Sequence, residues 1–299
     1  MESQVIIGIV IAIIAVVAVL YGVGFFMRRK NQEKLNDLEK RKEELFDLPV
    51  IEEVDEVKRM HLVGQSQNIF REWSQKWTDL STTSFAELES QIFEVENLNE
   101  TFRFLKGQAA VKDAEETLVM MEQEVKAIRQ GLKELRESEE RNSLQVQQAL
   151  DVYEELKKNL REEGATYGPA YAELQKQVKN IEIEFTQFVT LNTSGDPVEA
   201  REVLEEAEKH TYELQDLMKR IPVVYEELNK TFPAQLKEIE DGYKKLLEEK
   251  FKFPEENFEN DIHRVARRIE NSTADLAKVE VAAVEVANRD TAHEIDTLY

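Results

Sequence analysis

Histidines, carboxylates and glycines are the residues of this chain that could do chemistry, and none of them stands in a pattern that a known chemistry requires. No histidine is part of the H-E-x-x-H or E-x-x-H spacing that builds metal sites on helices; the four are His61, His210, His263 and His293. Carboxylate pairs are frequent, but a solvated helix face with partners four residues away explains them. Gly107 and Gly131 are isolated, which excludes a glycine-rich phosphate loop. The sequence therefore predicts no enzyme and no catalytic, cofactor-binding or metal-binding residue.

The composition of the chain favours protein partners. It holds 39 Lys and Arg against 61 Asp and Glu, which gives a formal net charge of -22, and it has no cysteine. A body so acidic repels nucleic acid and anionic lipid, so we expect no nucleic-acid partner. The stretch 28–42 is the exception, because seven basic residues there face three acids. It could hold the start of the body against anionic headgroups, or it could be an ordinary charged helix that also sets the topology.

Residues 5–27 contain no charged side chain and predict a transmembrane anchor. A helix of this length covers a hydrocarbon core of about 30 Å. Glu2 precedes the stretch, whereas Arg28, Arg29 and Lys30 follow it, which does not fit a cleaved signal peptide. The bias of basic residues toward the cytoplasm places residues 1–4 outside the cell and the body inside, at the cell membrane. Five small or β-branched residues share one face of the anchor and make self-association possible; they are Gly8, Ala12, Ala15, Val19 and Gly22.

The remainder of the chain predicts an all-α fold, because strand signals are nearly absent and Glu, Lys, Leu and Ala recur with a helical period. Breaks are expected at Leu48-Pro49, Ser81 to Ser84, Lys106-Gly107, Gly164 to Pro169, Ser194 to Pro197 and Phe253-Pro254. Asp196-Pro197-Val198-Glu199 gives the clearest helix start. The breaks leave short helices near 85–106 and 171–193, which alternate with long ones near 108–163 and 197–251.

A repeat of 86 residues is indicated by the match of Phe85-Ala86-Glu87-Leu88 with Tyr171-Ala172-Glu173-Leu174. Because one short helix covers only half of a long one, the natural packing is an elongated rod of spectrin-like antiparallel three-helix bundles joined by long shared helices. We expect a basic juxtamembrane helix at 28–48 and bundles at 49–137, 138–221 and 222–299, the third incomplete. Pro222 predicts a bend.

Two apolar runs step by three or four residues and predict buried stripes, one from Leu174 to Phe188 and one from Leu118 to Leu135. A third run holds Phe70, Trp73, Trp77 and Leu80. These aromatic side chains are interpreted as core, and a functional aromatic patch is the alternative.

Several local strings resemble the septation ring formation regulator family, EzrA, of Gram-positive bacteria. They are Glu173-Leu174-Gln175-Lys176-Gln177-Val178, Ser194-Gly195-Asp196, Ala200-Arg201-Glu202-Val203-Leu204-Glu205-Glu206-Ala207-Glu208, Pro233-Ala234-Gln235-Leu236-Lys237-Glu238, Gly242-Tyr243 and Ile295-Asp296-Thr297-Leu298-Tyr299. The family is about twice as long, so the chain is expected to be an N-terminal portion that lacks the polar patch implicated in localisation.

The resemblance implies a membrane-anchored cytoplasmic regulator of cell division whose partners are FtsZ and other division proteins. Family members negatively modulate FtsZ ring formation, limit aberrant ring assembly, and take part in division at the midcell septum. Two alternatives remain open at this point. One is a structural coiled-coil scaffold, and the other is a helical transmembrane signalling protein with no role in FtsZ control.

Overall fold

The computed structural model describes residues 2–251 and 258–299, and every regular element in these ranges is helical. The helices are α1 (Glu2–Phe46), α2 (Val50–Lys58), α3 (Gly64–Asp79), α4 (Phe85–Glu100), α5 (Phe104–Glu162), α6 (Tyr171–Ser194), α7 (Pro197–Glu226), α8 (Phe232–Glu248), α9 (Phe258–Ala277) and α10 (Val281–Leu298). A π-helical turn, Leu80–Ser84, joins α3 to α4, and another, Glu227–Thr231, joins α7 to α8. The all-α prediction is confirmed.

The chain forms two compact units, Met1–Ser138 and Glu139–Tyr299. The division falls within α5, and the second unit includes α6 to α10. The predicted boundaries of the three bundles, at 48, 137 and 221, stay predictions.

The first unit has a core shared by α1, α4 and α5. The buried apolar residues are Leu35, Leu38 and Leu45 on α1; Phe85, Leu88, Ile92 and Val95 on α4; and Val111, Ala114, Leu118, Met121, Val125, Ile128, Leu132 and Leu135 on α5. Their spacing of three or four residues places each set on one helix face. α1 and α4 are antiparallel, because Lys42 contacts Glu89 whereas Gln32 contacts Asn99. The half of α1 that follows the apolar stretch is thus a core helix of this unit.

The second unit buries the stripe predicted on α6. Leu174, Val178, Ile181, Phe185 and Phe188 are all buried and face α7 through Ala200, Leu204 and Leu214 in one continuous core. The connection between the two helices is the predicted one. Gly195 ends α6 in the left-handed conformation at φ 98°, and the Asp196 side chain accepts a hydrogen bond from the Glu199 backbone N–H.

Two predicted breaks are wrong. Residues 81–84 stay helical as a π-helical turn, in which the Ser81 and Thr82 hydroxyls donate to the Thr78 carbonyl. Serine and threonine can bond back to the helix in this way without leaving it. The break predicted at Lys106-Gly107 lies instead at 101–103, and Gly107 is inside α5, where an added Cβ would come 3.2 Å from Asn31 Nδ2. The break predicted at Phe253-Pro254 lies outside the described residues.

The burial pattern fits the predicted repeat without fixing its period. At the predicted offset of 86 residues, α4 and α6 begin at matching positions, Phe85 and Tyr171. The matched buried pairs are then Leu88 with Leu174, Ile92 with Val178 and Val95 with Ile181. A sequence with a seven-residue apolar period aligns with itself almost equally well one heptad away, so the period of 86 residues stays a prediction.

An asparagine contact recurs at the start of two long helices. Asn31 donates its side-chain amide to the carbonyl of Phe104, the first residue of α5. Asn142 donates in the same way to the carbonyl of Pro197, the first residue of α7. Each bond ties the first residue of a helix to a neighbouring helix.

Two smaller predictions have different outcomes. α7 continues through Pro222 to Glu226, and the bend of its axis at Pro222 stays a prediction.

Of the predicted aromatic run, Trp77 and Leu80 are buried, whereas Phe70 and Trp73 are half-buried. The core interpretation therefore holds for the second half of the run.

Candidate membrane-proximal site

The first part of α1 presents a bare apolar surface. Nearly every side chain from Ile6 to Phe26 is exposed, and in the part of the chain that the structure describes this is the one helix long and apolar enough to cross a membrane. None of its most apolar window is buried by other parts of the described chain. An apolar surface of this size is a site for lipid or for a partner, because exposing it to water is unfavourable.

The second part of α1 is fastened to α5 by ion pairs that run in the same direction along both helices. Lys34 Nζ lies 2.7 Å from Glu115 Oε1. About two turns further on, the Arg41 guanidinium donates two hydrogen bonds, of 2.8 and 2.9 Å, to the Glu122 carboxylate. The hydrogen bonds with Glu122 raise the pKa of Arg41 above its usual value. A forked pair of this kind fixes the rotation of one helix against the other as well as their separation.

These contacts show which residues of the basic stretch 28–42 belong to an ordinary packed helix and which are left exposed for lipid headgroups. Lys34, Arg41 and Lys42 contact acids on α4 and α5, so they contribute to the fold of the unit. Arg29 and Lys40 pair with acids four residues away on exposed faces of α1. The basic residues next to the apolar segment thus keep their exposure, and those further along are used in packing.

Residues 101–105 comprise the connection between α4 and α5 and the first two residues of α5, and are here named the α4–α5 turn. The turn lies against the end of the apolar segment. Phe104 packs on Gly24, where an added Cβ would meet the ring at 3.0 Å. Phe102 stacks edge-on against Phe104 with ring centroids 5.7 Å apart, and the Arg28 guanidinium carbon lies 5.7 Å from the Phe102 ring centre. A groove of about 350 Å³ separates this turn from α1 and is lined mainly by apolar side chains, among them Val17, Leu20, Tyr21 and Phe25.

Two amides hold the α4–α5 turn in place. Asn99, at the end of α4, donates to the Arg28 carbonyl at 3.4 Å and to Gln32 Oε1 at 3.3 Å. Asn31, which is buried, donates to the Phe104 carbonyl at 3.3 Å. Phe102 adopts a left-handed conformation at φ 61°, which bulky residues seldom adopt unless their surroundings impose it. The turn is therefore set by tertiary contacts with α1.

His210 is the histidine that the structure places between two carboxylates. His210 Nδ1 lies 2.9 Å from Glu184 Oε1 and its Nε2 lies 3.8 Å from Glu206, which forms a bridge between α6 and α7. Among residues 2–251 and 258–299, no three side chains of His, Asp or Glu converge as metal ligands would. The sequence predicts a break at Gly107 and does not predict the α4–α5 turn. A signal was present in Phe102-Arg103-Phe104-Leu105, an aromatic and basic run in an acidic chain.

The fold and this site define a class of protein: an all-helical bundle protein with one N-terminal helix able to cross a membrane. A family model described as "Septation ring formation regulator, EzrA" matches residues 9–299. The chain belongs to this family.

A curated relative has the same description. The chain is 70% identical over 282 residues to the Septation ring formation regulator EzrA of Enterococcus faecalis (strain ATCC 700802 / V583). The matched region is 94% of this chain and 49% of the relative, so the chain spans about half the length of the protein it matches. No solved structure matches the chain.

Proposed function

We propose that this chain is the membrane-anchored part of a septation regulator, with residues 1–4 outside the cell and the helical body in the cytoplasm. In this proposal it acts on FtsZ and other division proteins, negatively modulates ring formation, limits misplaced rings and takes part in division at the midcell septum. The observation that carries the proposal is the family match over residues 9–299 together with the identity to a named septation regulator.

The orientation is supported by the charges that flank the apolar segment. Arg28, Arg29 and Lys30 follow it, and no Lys or Arg precedes it. Basic residues are retained on the cytoplasmic side of a membrane. The acidic body, at a net charge of -22 for the whole chain, repels an anionic membrane, so the anchor is what keeps it close.

The contacts of α1 suggest how the anchor serves regulation. α1 has no break between the apolar segment and Phe46, and the Arg41–Glu122 fork and the Lys34–Glu115 pair fasten it to α5. The first unit is therefore coupled to the anchor as one body and cannot swivel freely on a flexible linker. A partner polymer on the membrane would meet this unit at a fixed height above the bilayer.

The function is tested in a dividing Gram-positive cell that expresses the chain with a C-terminal fluorescent tag and a marked FtsZ ring. We expect enrichment at midcell and, on overproduction, fewer FtsZ rings per cell length. The matched control is the same chain with residues 1–27 removed, which should lose both effects. If the intact chain is uniform in the membrane and ring number is unchanged, this half is not sufficient for the function proposed.

The orientation is tested separately, because the chain has no cysteine and any introduced cysteine is unique. The variants Ser3→Cys and Ser143→Cys are treated in intact protoplasts with a membrane-impermeant maleimide. Ser143 is exposed on the second unit. We expect labelling at position 3 only, and labelling at 143 before lysis would reverse the proposed topology.

A further inference from the structure

We propose that the α4–α5 turn is a second membrane contact, which inserts Phe102 and Leu105 into the interfacial layer of the same bilayer that α1 crosses. The inference rests on the proposed anchoring through α1. It goes further, because it gives the folded first unit its own lipid-binding surface.

The position of the turn along α1 gives the first argument. The ring of Phe104 packs on Gly24, and the groove beside the turn extends up α1 as far as Val17. With a rise of about 1.5 Å per residue, Gly24 lies about 5 Å and Val17 about 15 Å inside the end of the apolar segment at Met27. If the segment spans the hydrocarbon core, the turn reaches the boundary between headgroups and acyl chains.

The exposure of the turn gives the second argument. Phe102 is 67% exposed and Leu105 is 76% exposed, although Asn99 and Gly107 on either side of them are buried. Asn31 and Asn99 hold the backbone so that these apolar side chains stay outside the core. Contact with lipid accounts both for the unusual backbone conformation of Phe102 and for the exposure of its ring.

The charges around the turn give the third argument. Arg103 and Lys106 are exposed within or beside it, and Arg28 lies against the Phe102 ring. Glu100 is the acid within this stretch of chain, so the local balance is basic in a protein that is strongly acidic overall. Aromatic rings flanked by Arg and Lys are the composition of membrane interfaces, where the ring enters the acyl boundary and the cation contacts phosphate.

The lining of the groove favours the bilayer over a soluble protein partner. The groove is lined on one side by Val17, Leu20 and Tyr21 of the candidate span itself. A soluble partner seated there would have to enter the membrane, whereas lipid is present at that depth in any case.

The test uses the full chain with single cysteines in vesicles of phosphatidylcholine and phosphatidylglycerol at 3:1. A nitroxide label is placed in the variants Phe102→Cys, Leu105→Cys, Ile14→Cys and Phe93→Cys. Ile14 is the reference for the span. Phe93 is the matched control, because it is 68% exposed on α4 but lies about 10 Å further from the membrane than the end of that helix. Relative accessibility to oxygen and to a water-borne nickel chelate gives the depth of each label.

We expect the label at 14 to be deepest, those at 102 and 105 to be severalfold more accessible to oxygen than to nickel, and that at 93 to be aqueous. In a second set, Phe102→Asp should raise nickel access at a label on 105 severalfold, whereas Phe93→Asp should leave it unchanged. A membrane-embedded label at 14 with aqueous labels at 102 and 105 would overturn the contact alone. An aqueous label at 14 would overturn the anchor and the contact together. Spin–spin broadening at 102, with both reagents excluded, would replace lipid by a second copy of the chain.

Discussion

Replacing Gly131 by alanine should destabilise the first unit, although alanine is the better helix former. Gly131 is buried within α5, and a Cβ added there would overlap the indole of Trp73 and come within 2.8 Å of its Cζ2 atom. The half-buried Trp73 therefore packs directly against the backbone of Gly131. This contact is also the most direct evidence that Trp73 has a packing role.

Two effects of opposite sign set the size of the change. Relief of the entropic penalty of a helical glycine stabilises by roughly 0.5–1 kcal/mol. Forcing an extra methyl group into a packed contact costs about 1–3 kcal/mol. Because the overlap is with the body of a fused ring and not with a flexible chain end, we expect a cost in the upper part of this range. The net destabilisation should be about 1–2 kcal/mol by these values.

Gly242 provides the matched control, since it also lies inside a helix, α8, with no atom within 4 Å of an added Cβ. Gly242→Ala should stabilise its region by about 0.5–1 kcal/mol, the helix-propensity term alone. Hydrogen exchange followed by mass spectrometry on the full chain in lipid nanodiscs gives the local free energy of opening for both regions. Equal stabilisation by the two alanines would refute the contact of Gly131 with Trp73. Trp73→Leu in the Gly131→Ala background should recover part of the loss.

Three further changes test the polar contacts of the core and of the helix surfaces. Asn142→Leu removes hydrogen bonds of 3.0 and 2.7 Å from a buried site and should lower the local opening free energy by about 2–3 kcal/mol, with unchanged exchange counting against it. Arg41→Glu and Glu122→Arg should each speed exchange in the second part of α1, and the double exchange of charges should restore protection. Arg220 donates hydrogen bonds that hold the pKa of Glu285 below its usual value. The pair therefore stabilises the fold above the unfolded pKa of about 4.3, and this stability is lost as pH falls through the lower, folded pKa. Arg220→Gln should therefore flatten the fall in unfolding temperature, followed by circular dichroism, below about pH 4.3, and an unaltered fall would contradict this assignment.

Local signals in the sequence were sufficient wherever the structure depends on local chemistry. The apolar segment, the stripe from Leu174 to Phe188 and the capped start at Asp196 need only periodicity or neighbouring residues, and each has the predicted form. Each of these signals is complete within one helix or one turn. No knowledge of the packing partner is needed to interpret them.

The candidate site could not be predicted in the same way, because its geometry comes from distant residues. The α4–α5 turn contains neither glycine nor proline, and its conformation is set by amides on α1 and at the end of α4. Gly107 was interpreted as a breaker, yet its lack of a side chain lets Asn31 approach α5. A glycine within a helical pattern can mean a break or a close contact, and the sequence alone does not distinguish them.

The seven-residue apolar period leaves the register between neighbouring helices weakly determined. Apolar stripes with a seven-residue period would bury almost the same surface if one helix slid by a heptad against its neighbours, so burial alone fixes the register weakly. Asn31, Asn99, Asn142 and Asn192 are buried, and each bonds a group that a slide would carry away by about 10 Å. A slipped helix would leave those amides unpaired in the core, at a cost of about 1–3 kcal/mol each. The buried asparagines thus select one register in the folding chain.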